Sequence, residues 1–161
     1  MRLAKAFADI DSGEREPAET TIKGYMPVGD IGGSGTVSVT AFELVVPSRQ
    51  IVYHAVRFEV NSGGEYPNEG IASIALSDAE KLMNSLEELA NAQITTARFQ
   101  LTEIEATVGD LRVVVFNDGH RRLQAIVEAN GATCLLRAQS ELLNLRKLVS
   151  LAAEHLKVHS M

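Results

Sequence analysis

Arg112-Val113-Val114-Val115-Phe116-Asn117-Asp118-Gly119-His120-Arg121-Arg122-Leu123-Gln124-Ala125-Ile126-Val127-Glu128 is the stretch whose reading decides the fold. Two runs rich in β-branched and aromatic residues flank Asn117-Asp118-Gly119, and Asp-Gly favours a tight turn that needs positive φ, so the segment reads as a β-hairpin. In the returning arm Leu123, Ala125 and Val127 fall on one face, and Arg122, Gln124 and Glu128 on the other, with Ile126 the exception. One side of the hairpin therefore needs a core.

Downstream, Asn130-Gly131 is a second turn dipeptide, Thr133-Cys134-Leu135-Leu136 reads as a short strand, and a helix is expected from about Gln139 to Val158. That helix is long and amphipathic enough to supply the hairpin's core. Upstream, Phe99 and Leu101 alternate with polar residues, Glu103 and Glu105 bracket Ile104, and Gly109-Asp110 turns the chain into the hairpin. Four strands followed by a helix result.

The first part of the chain has the same plan. A strand is expected from about Thr20 to Met26, then a loop from Pro27 to Gly35, then strands over Thr36–Val46, Ile51–Val60 and Ile71–Leu76. Ser77-Asp78-Ala79-Glu80 has the spacing of a capping box, in which the serine oxygen and the glutamate side chain satisfy free amide donors at a helix start. Ala79, Leu82, Met83, Leu86, Leu89 and Ala90 then recur at helical intervals, giving one stripe for a sheet. Leu76 precedes Leu82-Met83 by the interval at which Leu136 precedes Leu142-Leu143, each at a strand-to-helix junction. The expectation is an α+β fold of two antiparallel-sheet-plus-helix halves, a ββββα-ββββα pseudo-repeat packed as one compact unit: an arm over 1–19, a first half over 20–95 and a second over 96–161.

Composition excludes several classes. The 161 residues are 45% hydrophobic and 22% charged, an ordinary globular balance. No apolar run approaches the roughly 20 residues of a membrane helix, and Lys5 and Asp9 interrupt the apolar start, unlike a signal peptide. A cytoplasmic protein is expected. The single cysteine, Cys134, cannot form an internal disulfide and occupies a buried strand position. A net charge of −6 and a pI near 5.2 weigh against indiscriminate polyanion binding, and 5% aromatic residues with no Trp leave little for base stacking.

Candidate chemistry is sparse. The glycine-rich loop Pro27–Gly35 lacks the Gly-Lys of a phosphate cradle and leads into a strand rather than a helix, so it reads as an inter-strand connection. His54 shares a strand face with Val52, Val56, Phe58 and Val60, the setting of a hydrogen-bonded core histidine. Tyr53, Arg57 and Glu59 share the opposite face, with Arg57 and Glu59 read as a solvated charge pair. Tyr66 is expected to fold over a sheet edge. Glu103 and Glu105 project the same way but have no third ligand at a readable spacing, and His155 and His159 stand four apart without a neighbouring cysteine or an intervening glutamate. Neither set makes a metal site. On the last helix, Leu142, Leu145, Leu148, Val149, Ala152 and Leu156 form the core stripe, while Leu143 and Leu151 fall outside it and need another surface, a partner subunit or the other half of the chain.

The order of elements resembles the tandem architecture of the Whirly and PUR-type proteins and of PC4-like single-stranded nucleic-acid binders. The likeness covers the chain after about Thr20 and lies in the strands and helices; no lysine-rich Whirly strand motif is present. It implies a sheet face that offers basic and aromatic residues to unstacked bases, and the positions available are Arg112, Arg121, Arg122 and Arg137, with Tyr53 and Phe116. Three functions follow. The leading one is a non-enzymatic, self-associating binding or scaffolding module, with Leu143 and Leu151 at the interface, itself as partner and no cofactor. The alternatives are single-stranded nucleic-acid binding through the arginines, and a small enzyme with its site near His54.

Overall fold

The structure, a computed structural model, describes residues 19–93, 101–117 and 122–158. Strands β1 (Ile22–Gly32), β2 (Thr36–Val46), β3 (Ile51–Asn61) and β4 (Glu69–Ala75) lead into helix α1 (Ala79–Ala90). Strands β5 (Glu103–Val108), β6 (Leu111–Asn117), β7 (Leu123–Ala129) and β8 (Ala132–Leu136) then lead into helix α2 (Glu141–Val158). Each set of four strands pairs in chain order as an antiparallel meander. The α+β class and the twofold repetition of four strands and a helix are thus present. Met1 to Ala18 of the expected arm, Phe99 of the expected strand, the hairpin tip from Asp118 to Arg121, and His159 lie outside the described residues.

Local chemistry explains most element ends, and several differ from expectation. β1 does not stop at Met26 but runs to Gly32, with a register shift between Pro27 and Gly29. It is an edge strand, so the missing N–H of Pro27 takes no bond from a second neighbour and the bulge absorbs the irregularity. Only Gly33-Ser34-Gly35 remains as loop. The expected capping box is also absent: Leu76–Asp78 form a 3-10 turn ahead of α1, and no side chain caps the helix N-terminus. The turn itself redirects the chain, leaving Ser77 on the surface.

The largest departure is in which helix covers which sheet. The second helix does not supply the core of the second hairpin; α2 lies on β1, β2 and β3 of the first sheet, while α1 packs against β5 and β6 of the second. The two helices also pack on each other. One continuous cluster results, in which Val39, Phe58 and Ile74 of the first sheet join Val113, Val127 and Cys134 of the second, with Leu86 of α1 and Leu145 of α2. Cys134 is fully buried there, as its strand position requires. Gln139, expected to begin the last helix, stands outside it: its side-chain amide donates to the carbonyls of Leu89 (2.7 Å) and Ala92 (2.8 Å). It thereby adds a side-chain donor to carbonyls at and just past the C-terminal end of α1.

The sheets meet along β3 and β4 of the first and β6, β7 and β8 of the second. The Gly33–Gly35 turn docks on β8, where the Ser34 amide donates to the Leu135 carbonyl (2.7 Å) and the Leu135 amide donates to Ser34 Oγ (2.9 Å). A side chain at Gly33 would place its Cβ 2.1 Å from the Leu135 carbonyl oxygen. Glycine is needed there for close approach between the sheets. The β7–β8 turn docks likewise on β4: the side-chain amide of Asn130 donates to the Ile71 carbonyl, and that of Asn68 to the Gly131 carbonyl.

A second, smaller cluster of Phe42, Leu44, Val46, Tyr53 and Ala55 lies on the reverse face of the first sheet. β2 and β3 therefore each bury one face along part of their length and the other face further on. Tyr53, read as sharing a solvent face with Arg57 and Glu59, is 8% exposed, because Leu44 lies directly opposite it across the β2–β3 ladder. The Arg57 guanidinium lies over the rings of Tyr25 (5.5 Å) and Phe42 (5.8 Å), with Glu59 3.8 Å away. It is stacked at the cluster's rim.

Gly70 gives a direct measure of the contact between the sheets. A Cβ there would fall 1.8 Å from the Ala129 carbonyl oxygen, whereas at Gly32 it would meet nothing within 4 Å. Gly70→Ala is expected to lower unfolding stability by about 1–3 kcal/mol and Gly32→Ala to leave it nearly unchanged, as read by urea denaturation.

Candidate functional site

β3 places His54 on the face that carries Val56, Phe58 and Val60 of the main core. Glu43 stands directly opposite on β2, and His54 Nε2 lies 2.9 Å from Glu43 Oε2. A carboxylate only accepts, so the proton of that bond is on Nε2. The His54 side chain is 13% exposed and that of Glu43 40%.

Two hollows border this pair, and residues of the last turn of α2 line both. One, about 500 Å3, is lined by Val52, His54, Ser77, Glu80 and Lys157. The other, about 220 Å3, is lined by Met26, Glu43, His155 and Leu156 among others. A carboxylate bound to an imidazole orients the ring for proton transfer, and the larger hollow adds a hydroxyl, a carboxyl and an ammonium group. Among the described residues no group of three or more His, Cys, Asp or Glu is placed to hold a metal ion.

The arginines expected to face nucleic acid are distributed differently. Arg112 is on the outer face of the second sheet, where Nε and Nη2 donate to Glu105 Oε2 (3.1 and 2.8 Å) and Nη1 donates to Glu128 Oε2 (2.9 Å). Those bonds, Glu105 first and Glu128 second, raise its pKa above the ordinary guanidinium value. Glu103 faces Phe116 across the ladder, while Glu105 binds Arg112. Phe116 is half-buried on the same face, Arg122 and Arg137 are exposed, and Arg121 lies outside the described residues. Between them Val114, Ile126 and Leu135 form an apolar row across β6, β7 and β8. Tyr53 is not with them; it is in the reverse-face cluster of the first sheet. Tyr66 does not fold over a sheet edge but stands 87% exposed.

The outer face of α2 carries the remaining candidates. Leu142, Leu145, Val149, Ala152 and Leu156 are buried as expected, with Leu148 half-buried against Gly29. Leu143 is 43% exposed and Leu151 47%, so the other half of the chain does not cover them. Val158, further along the same side, is 67% exposed, and the exposed Lys147 and Glu154 stand between these apolar residues.

Sequence reasoning missed Glu43, Lys157 and Val158. Glu43 had a signal, a charge between Phe42 and Leu44, but its partner depends on the β2–β3 register. Lys157 reaches the His54 hollow because α2 crosses to the first sheet. No helix among the described residues is long and apolar enough to cross a membrane. Compared with protein-family models, with curated proteins and with solved structures, the chain has no match.

Tyr53 supplies a pH test of the reverse-face cluster. Burial first, and the nearby charges of Asp78 and Asp110 after it, push its phenol above the ordinary 10.0. The folded state then resists deprotonation more than the unfolded chain, so this contribution is intact below pH 10 and is lost as pH rises through the folded pKa. Thermal melts from neutral pH into the alkaline range are expected to show a shallower alkaline decline for Tyr53→Phe than for the wild type.

Proposed function

We propose that this protein is a non-enzymatic, self-associating binding or scaffolding module that uses the outer face of α2 to meet its own copies. The observation that carries this reading is the exposure of Leu143 and Leu151 on a helix whose opposite side already fills the core. Fully burying a leucine is worth about 1.5–3 kcal/mol, and each of these side chains has part of that still to gain. The mixed surroundings, with Lys147 and Glu154 interspersed, are those of a surface that is soluble alone and closes against a partner.

The nucleic-acid reading implied by the Whirly-like and PUR-like order of elements draws its support from that order. Arg112 is already bound by two glutamates, and Tyr53 is on another sheet and buried. The acidic chain offers three carboxylates, Glu103, Glu105 and Glu128, on the face where Arg112 stands.

Sedimentation velocity over a concentration series tests the proposal. The wild type is expected to show a concentration-dependent shift to a larger species, and Leu143→Glu/Leu151→Glu to remain monomeric with an unchanged circular dichroism spectrum. A wild type that stays strictly monomeric at high concentration overturns it.

A further inference from the structure

We infer that the partner on α2 is a second copy of this chain, laid antiparallel, with the twofold axis passing between Ser150 and Leu151; this rests on the self-association reading above and specifies its geometry. At about 100° per residue, Leu143, Lys147, Leu151, Glu154 and Val158 fall within an arc of about 80°. All five are exposed and α1 and the first sheet occupy the other sides of the helix. They form one stripe.

A twofold interface must be self-complementary: if one residue meets a second across it, the second meets the first. Reversing this helix about the point between Ser150 and Leu151 sets Leu143 opposite the copy's Val158, and Lys147 opposite its Glu154, each pairing occurring twice. Leu151 then packs beside the axis against the copy's Ser150, a small residue that permits the helices to approach. Leu143 meets an apolar partner in Val158, and each cation meets an anion. A parallel arrangement in register instead sets Lys147 on Lys147 and Glu154 on Glu154, so the charge pattern selects the antiparallel one.

The test uses the full chain and charge reversal. Lys147→Glu and Glu154→Lys each replace both attractive pairings with like charges, and each is expected to raise the dimer Kd by about tenfold or more. The double variant Lys147→Glu/Glu154→Lys restores opposite charges and is expected to recover the wild-type Kd. Unchanged circular dichroism spectra of the single variants exclude unfolding as the cause. A second readout is geometric. Leu143→Cys/Val158→Cys is expected to form an intermolecular disulfide under mild oxidation, and Leu143→Cys alone is not, because in this register its copies stand roughly 22 Å apart at about 1.5 Å per residue. Rapid cross-linking of Leu143→Cys alone overturns the antiparallel register in favour of a parallel one. A wild-type dimer indifferent to both charge reversals overturns the helix pairing while leaving self-association standing. A monomeric wild type overturns both.

Discussion

Each sheet in this protein has its apolar face closed by the helix that follows the other sheet. α1 leaves the first sheet to cover β5 and β6, and α2 leaves the second to cover β1, β2 and β3. Covering a sheet with its own following helix needs contacts between residues near in sequence; the exchange makes the core depend on long-range contacts. Leu145 and Val149 bury their side chains among residues contributed about a hundred positions earlier. Neither sheet keeps its cover without the other half, and a single core is the consequence.

That constraint shapes the joints between the halves. With both helices crossing over, the turns of one sheet are brought to the edges of the other, and glycine appears where backbone meets backbone. Gly33 against Leu135 and Gly70 against Ala129 leave no room for a side chain. Gln139 links the two helices by filling the carbonyl end of α1 from the approach to α2. The polar groups so placed are satisfied within the fold, which is why the glycine-rich loop serves packing.

Surfaces left over by the packing define what remains for partners. α2 has more apolar positions than one sheet and one helix can cover, and the excess falls on its outer side at Leu143, Leu151 and Val158. Beside its last turn, the His54–Glu43 pair of the first sheet borders two hollows. On the outer face of the second sheet, Glu105 and Glu128 flank Arg112 and accept from its Nε, Nη1 and Nη2.

Much of the local structure was legible from residue order alone. β2 spans the expected Thr36–Val46, the turns at Gly109-Asp110 and Asn130-Gly131 stand where their dipeptides put them, and the buried stripe of α1 is the periodic one. β1 was harder, since Pro27 and Gly29 signal a break in any central strand and are tolerated only at an edge, a status that depends on the neighbours. The same limit applies to the candidate sites: Leu143 and Leu151 stand off the core stripe by helical geometry alone, but the pairing of His54 with Glu43 needs the β2–β3 register and the arrival of Lys157 needs the helix exchange. The sequence by itself determined the elements, their amphipathic faces and the leucines in excess of one core, because those follow from side-chain period and turn chemistry between near neighbours. Only the tertiary structure decided which helix covers which sheet, which face of β3 buries Tyr53, and which charges neutralise Arg112, because apolar stripes and exposed charges carry no address until the chain has closed on itself.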